Sequence, residues 1–115
     1  MGEQIDTRQL PEVITEYLAA HEARDLDLAL ACYNEDAVAV DEGHTYRGKR
    51  EIGDWLARTS GEFTYTMQLV AAQRVDDDHY VVVHHLEGDF PGGVVDLRFR
   101  FTLREGRIAE LVIKP

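Results

Sequence analysis

Cysteine is nearly absent from this sequence, with Cys32 as the single thiol among 115 residues. One thiol closes no disulfide within the chain and supplies no cysteine-rich zinc site, which needs several thiolates. A lack of disulfides is typical of proteins in a reducing compartment, so we expect a cytoplasmic protein. Cys32 itself is expected to be buried and inert.

Basic residues are also few, with 12 Lys and Arg against 22 Asp and Glu and a formal net charge of -10. Nucleic acids and anionic membranes attract clusters of Lys and Arg, so this balance argues against both as partners. No apolar run approaches the roughly 20 residues that span a bilayer. The first ten residues contain no apolar segment of the kind found in secretory signals.

The first half of the chain predicts three helices, because apolar residues recur every three to four positions. Asp25 is a typical helix-capping residue, and Tyr33 falls on the buried stripe of the helix that would follow it. Between the second and third helices, a short segment alternates in the manner of a strand and ends at Asp41. The predicted helices cover residues 10–21, 26–33 and 48–59, and the predicted strand covers residues 37–41.

From Gly61 onward the apolar period changes to two, which predicts strands with one buried face. Clusters of Asp, Gly and Pro between these runs predict turns. In the last run, Leu111 and Ile113 share one face, and Ile108 and Val112 share the other. The predicted strands begin near Phe63, Tyr80, Val95 and Arg107.

Helices followed by hairpin-linked strands predict an α+β protein. We expect one domain, residues 1–115, in which three N-terminal helices pack on one face of a curved antiparallel sheet and form a cone. The composition, 44% hydrophobic and 30% charged, is ordinary for such a domain. The chain shows no internal repeat, linker or low-complexity tract.

Several short segments, spread over nearly the whole chain, carry a resemblance to a known group of proteins. They are Tyr17-Leu18, Asp25-Leu26, residues 32–37 (CYNEDA), Val40-Asp41, residues 46–52 (YRGKREI) and Gly106-Arg107-Ile108. In these segments the chain resembles the nuclear transport factor 2-like superfamily, in particular its SnoaL-like and ketosteroid isomerase-like members. The resemblance implies a cystatin-like cone and a homodimer. It implies no single activity, because this fold carries enzymes and binding modules alike.

The same resemblance implies catalytic roles for two residues but provides no counterpart for a third catalytic group. Asp41 stands where ketosteroid isomerases carry the general-base aspartate, and Tyr17 stands where they carry the oxyanion-hole tyrosine. Phe99 occupies the position of their protonated aspartate, the second oxyanion donor. Asp96 is near but lies on the opposite face of its strand. The chain therefore departs from the isomerases at a position that their chemistry uses, which argues against steroid isomerase activity.

Three residues are candidates for catalysis by their chemistry. A buried Asp41 carboxylate would be a strengthened base, although a strand-end carboxylate in water or a turn cap beside Gly43 is the structural alternative. Tyr17 can donate to a developing oxyanion, or it can be a core aromatic bonded to a backbone carbonyl or to Tyr33. His84 can shuttle a proton if it reaches Asp41, or it can be a satisfied core histidine.

The predicted pocket wall consists of apolar and aromatic side chains on the inner face of the cone, and it suits a small apolar or aromatic ligand. In a cone of this kind the core and the pocket wall are formed by the same residues. The expected lining residues are Tyr33, Trp55, Phe63, Tyr65, Tyr80, Val82, Phe99, Phe101, Leu111 and Ile113.

The sequence predicts neither a metal site nor a cofactor. The segment Asp41-Glu42-x-His44 lacks the helical spacing of two histidines and has no third ligand near it. His84 and His85 point to opposite faces of one strand, so they cannot coordinate the same metal ion.

Three functions remain open at this stage: a cofactor-independent enzyme of isomerase, cyclase or dehydratase type, a non-catalytic binder of small ligands, and a dimerisation or interaction module. The outer sheet face mixes opposite charges with a few apolar residues, which suits either a homodimer interface or a solvated surface. The resemblance favours the dimer. The residues expected on that face are Glu62, Thr64, Thr66, Gln68, Asp96, Arg98, Arg100, Ile108 and Val112.

Overall fold

The computed structural model describes residues 2–115. Its helices are α1 (Glu12–Ala23), α2 (Leu26–Ala31) and α3 (Gly48–Ser60), preceded by a 3-10 turn at Thr7–Gln9. Its strands are β1 (Glu3–Gln4), β2 (Tyr33–Asp41), β3 (His44–Arg47), β4 (Tyr65–Asp76), β5 (His79–Gly88), β6 (Val94–Arg104) and β7 (Arg107–Lys114). The sequence analysis did not predict β1.

All seven strands form one sheet in the order β1-β4-β5-β6-β7-β2-β3. Neighbouring strands are antiparallel except β2 and β7, which are parallel because the chain crosses over between them. The inner face of the sheet packs against the helices, so the predicted α+β class and its mainly antiparallel curved sheet are confirmed.

The second helix is shorter than predicted. Asp25 does cap it, because its carboxylate accepts a hydrogen bond from the backbone N–H of Leu28 at 3.1 Å. Tyr33, however, opens β2 and pairs with Ile108 of β7. The backbone N–H of Ile108 donates to the carbonyl of Cys32 at 2.8 Å, so sheet pairing takes over where the helical period would have continued.

The prediction that Ile108 lies on the outer face is wrong. Its side chain is fully buried, although Leu111 is fully buried as well. The pairing of β6 with β7 shifts between Thr102 and Leu103, so that Ala109 is an extra residue in its strand. Such a bulge reverses the alternation of side chains, which places residues on both sides of it in the core.

Candidate functional site

Tyr17 and Tyr33 form a hydrogen-bonded pair at the centre of the core. Both side chains are fully buried. The Tyr33 hydroxyl donates to the Tyr17 hydroxyl at 2.7 Å, and the two rings meet edge to face with centroids 5.2 Å apart. Burial raises the pKa of both phenols, so both are neutral at physiological pH. The bond to Tyr33, foreseen as the structural alternative for Tyr17, is present.

Asp41 ends β2 at the wide end of the sheet, where it pairs with Ile113 of β7 and with His44 of β3. Its side chain is half-buried, and its Oδ2 accepts a hydrogen bond from Trp55 Nε1 at 3.1 Å. The Asp41 charge adds to burial in raising the pKa of Tyr17. The Asp41 carboxylate is therefore near enough to the Tyr17 phenol to affect its protonation.

Tyr65 belongs to the same neighbourhood. It is half-buried at the start of β4, where burial raises its pKa, the nearby Arg24 charge lowers it, and the Asp41 charge raises it further. Arg24 and Asp41 thus act on the Tyr65 phenol with opposite charges.

His84 is 2% exposed on β5, and within residues 2–115 its Nδ1 has no hydrogen-bond partner. Its ring lies 4.7 Å from that of Phe99, edge to face. Burial, aided by the charge of His21, lowers the pKa of His84 to about 4, so the imidazole is neutral at pH 7. The alternative for His84 was a core histidine with all its hydrogen bonds formed. Its burial agrees with that alternative, but the lack of a hydrogen-bond partner at Nδ1 does not. This nitrogen is available to a polar group of a ligand.

Most of the residues expected to line the pocket lie in the hydrophobic core. Seven of the ten expected residues are buried: Tyr33, Trp55, Tyr80, Val82, Phe99, Phe101 and Leu111. Ile113 is half-buried and packs against this cluster.

Phe63 is not part of a strand, contrary to prediction. β4 begins at Tyr65, because the preceding segment is fastened to the β5–β6 turn: the Thr64 N–H donates to the Asp89 side chain at 2.8 Å. The Phe63 ring meets Phe90 of that turn with centroids 6.2 Å apart. Phe63 therefore lies outside the strand whose inner face was expected to line the pocket.

His21 is a residue near the candidate site that the sequence analysis did not single out. It lies one helical turn after Tyr17, with ring centroids 6.3 Å apart, and it is half-buried. Burial and the neighbouring Arg24 charge lower its pKa, and its own charge would disfavour protonation of His84. The i, i+4 spacing from Tyr17 on the apolar face of α1 was the signal that could have identified it.

Two surface clefts lie elsewhere. One, of about 380 Å³, lies beside the β4–β5 turn and is lined in part by His79 and Arg100. The other, of about 350 Å³, lies between α1, α2 and the β6–β7 turn and includes Cys32. Neither cleft is lined by Asp41, Tyr17 or His84, although Tyr80 and Phe101 of the predicted pocket wall line the first one.

Comparison with known families gives one match, the SnoaL-like domain, over residues 14–111. The chain belongs to the SnoaL-like family. The match spans all three helices and most of the sheet, including every candidate catalytic residue. A comparison with curated proteins gives no match.

Solved structures similar to this SnoaL-like chain share its fold. A candidate polyketide cyclase from Sinorhizobium meliloti is 31% identical, with a TM-score of 0.88 over 96% of this chain and 100% of its own. A Catenulispora acidiphila protein with a ketosteroid isomerase-like fold, bound to trimethylamine, is 22% identical, with a TM-score of 0.80 over 93% and 87%. RV0760c from Mycobacterium tuberculosis, bound to estradiol-17β-hemisuccinate, is 17% identical, with a TM-score of 0.75 over 90% of both chains.

These likenesses identify the fold as that of the nuclear transport factor 2-like superfamily, as the sequence resemblance predicted. Members of this fold hold small molecules in the two ligand-bound structures. In residues 2–115 of the present chain, no helix is both long and apolar enough to cross a membrane.

Proposed function

We propose that this SnoaL-like chain binds a small apolar or aromatic carbonyl compound inside its cone and moves a proton on it without a cofactor. The reaction would be of isomerase, cyclase or dehydratase type. Asp41 is the general base, Tyr17 is the oxyanion donor, and His84 is the auxiliary acid or base. The observation that carries this proposal is the fully buried phenol of Tyr17 within electrostatic range of the half-buried Asp41 carboxylate, whose charge adds to burial in raising the pKa of Tyr17.

The proposed chemistry assigns one task to each group. Asp41 takes a proton from the carbon next to a substrate carbonyl, and the electron pair moves to the carbonyl oxygen. Tyr17 donates a hydrogen bond to that oxygen and stabilises the enolate. Protonated Asp41 then returns this proton at another carbon or to a leaving hydroxyl, while neutral His84 can hold a polar group of the substrate through Nδ1.

Phe99 limits the range of substrates. Removing one oxyanion donor from an enzyme costs about 10²–10³ in kcat. Because Phe99 provides no donor and is 3% exposed, this site holds an enolate with fewer hydrogen bonds than an isomerase that has a second acid there. The proposal therefore favours substrates with a more acidic C–H, such as those flanked by two carbonyl groups.

Non-catalytic ligand binding is the second candidate function. The bare Nδ1 of buried His84 favours it, because a neutral imidazole in an apolar interior can fix the orientation of a ligand hydroxyl or N–H without any reaction. The steroid-bound mycobacterial structure and the trimethylamine-bound structure show that this fold can hold such molecules.

The proposal includes a homodimer through the outer sheet face and a cytoplasmic location. At the centre of that face, Val81 and Val83 are half-buried and pair with Arg100 and Arg98 of β6. This arrangement suits an interface in which the valines are buried and the arginines form ion pairs with acidic groups of a second copy. The cytoplasmic location rests on the single cysteine.

A thermal-shift screen tests ligand binding. Wild type, Asp41→Asn and Asp54→Asn are melted with aromatic polyketide-like compounds and with estradiol-17β-hemisuccinate. Asp54 is an exposed carboxylate of α3 and provides the matched control. We expect some compounds to raise the Tm of wild type and of Asp54→Asn by mass action. The same compounds should change the Tm of Asp41→Asn by a different amount. If no compound raises the Tm and Asp41→Asn melts like wild type, the interaction-module function replaces this proposal.

A further inference from the structure

The Asp41 carboxylate is held by one oxygen only. Trp55 Nε1 donates to Oδ2 at 3.1 Å. Across residues 2–115, no other hydrogen bond reaches the Asp41 side chain, so Oδ1 has no donor. The two carboxylate oxygens, equivalent in water, therefore differ in the folded protein.

The indole that holds Oδ2 is itself fixed in place. Trp55 is 4% exposed, and its ring stacks on Tyr46 with centroids 5.6 Å apart and planes 19° from parallel. Arg58, one turn after Trp55 on α3, donates from Nη2 to the Tyr46 hydroxyl at 2.8 Å, with its guanidinium carbon 5.7 Å from the centre of the Tyr46 ring. Arg58, Tyr46 and Trp55 thus form a continuous stack that ends at Asp41.

We propose that Trp55 is a positioning residue for Asp41: its indole N–H fixes Oδ2, and this leaves Oδ1 as the atom that receives the substrate proton. The proposal rests on the function proposed above. A general base acts efficiently only when its accepting atom is held within hydrogen-bond reach of the proton. The Tyr46–Arg58 stack restricts rotation of the indole and so extends this control to the protein surface.

Several charged or titratable groups lie near the contact between Asp41 and Trp55. Arg58 is close enough that the Asp41 charge contributes to the raised pKa of the guanidinium, after the larger effect of Tyr46. The other titratable groups that face the carboxylate are Tyr17 and Tyr65, which are neutral at pH 7, and exposed His44, which pairs with Asp41 across β3. His44 is the one histidine among these three groups and must be controlled for.

A single tryptophan makes the contact directly observable, because the chain has one Trp and therefore one indole N–H signal in a ¹H–¹⁵N spectrum. The signal is followed from pH 8 downward over the range in which the far-UV circular dichroism is constant. Wild type is compared with Asp41→Asn, with Asp54→Asn as the neighbouring carboxylate control, and with His44→Gln as the control for the histidine.

We expect one pH-dependent change of the indole signal in wild type that persists in Asp54→Asn and His44→Gln and disappears in Asp41→Asn. In Tyr46→Phe, which keeps the stacked ring but releases Arg58, the indole N–H should exchange faster with solvent. A pH-dependent change that persists in Asp41→Asn, or its absence in wild type, overturns the proposal.

The kinetic effect of Trp55→Phe distinguishes positioning from packing. With a substrate identified by the screen, this variant should lower kcat about tenfold, the size expected for one charge-assisted hydrogen bond, while KM changes less. An unchanged kcat overturns the positioning role. If no turnover is found with any compound, the proposed function fails, and the indole titration still supports or overturns the control of Oδ2 by Trp55.

Discussion

Tyr33 donates its hydroxyl proton to the hydroxyl of Tyr17, and the two oxygens lie 2.7 Å apart in the middle of the core. The residues are 16 positions apart in the chain, one on α1 and the other at the first position of β2. This bond joins the helical layer to the sheet. The residue proposed as the oxyanion donor is therefore also one that stabilises the fold.

The tyrosine pair should show strong coupling in stability. Tyr17→Phe or Tyr33→Phe alone leaves a buried hydroxyl without a partner, which lowers the free energy of unfolding by about 1–3 kcal/mol. The double variant removes both hydroxyls and should lose less than the sum of the two single losses. Urea denaturation of the four proteins measures this. Additive losses would show that the two hydroxyls do not form the bond.

Ile108 should matter more for stability than Val112, the opposite of what the simple alternation of β7 predicts. Ile108→Ala opens a cavity in a fully buried site and should cost about 2–5 kcal/mol. Val112→Ala, at a half-buried position, should cost clearly less. Equal losses in denaturant titrations of the two variants would argue against the bulge at Ala109.

The helices and the inner face of the sheet could be predicted from periodicity alone, because their apolar residues repeat at 3.6 or at two positions. The start of β2 at Tyr33 and the burial of Ile108 could not be predicted in this way. Both depend on the parallel pairing of β2 with β7, a non-local interaction that overrides local preference. The period also continues through Phe63, whose strand is cut short by hydrogen bonds of the distant Asp89.

The candidate site could be predicted only in part, because some of its contacts join distant parts of the chain. Asp41 and Tyr17 could be identified by resemblance, and His84 by its place on a buried strand face. The bond from Trp55 to Asp41 joins residues 14 positions apart on different elements, and the stack with Tyr46 comes from a third. No periodic pattern in the sequence encodes such a contact, so it appears only in the folded structure.

Stability should fall as the pH is lowered from about 6.5 to 4, and His84 should be a main cause. Its pKa is lowered by burial to about 4 in the folded state, while the unfolded chain binds the proton at about 6.5. Since the unfolded state binds more protons in this window, the contribution of neutral His84 to the free energy of unfolding is fully present above about pH 6.5. It is lost as the pH falls toward 4. The loss is at most about 3 kcal/mol.

The measurement is the free energy of unfolding at several pH values for wild type, His84→Gln and the exposed-histidine control His44→Gln. The slope between pH 6.5 and 4 should be smaller in His84→Gln and unchanged in the control. His21 contributes in the same direction, because burial also lowers its pKa. A slope that His84→Gln leaves unchanged would contradict the burial of a neutral imidazole.

The outer sheet face should form the dimer. Val83→Glu places a charge at the centre of that face, opposite Arg98 on the same surface, and should convert a dimer to a monomer in light scattering coupled to size exclusion. Leu28→Glu, in a residue 46% exposed on α2 in the helical layer, is the control and should leave the mass unchanged. A wild-type protein that is monomeric at high micromolar concentration would refute the interface.

Proton transfer by Asp41 is tested most directly by isotope exchange. Compounds that raise the Tm are incubated with the protein in D₂O, and the uptake of deuterium at their acidic carbon is measured by mass spectrometry. The account predicts exchange at least about tenfold faster than in buffer with wild type and with Asp54→Asn, and no acceleration with Asp41→Asn. Binding without accelerated exchange, or acceleration that persists in Asp41→Asn, would contradict the role of Asp41 as the base.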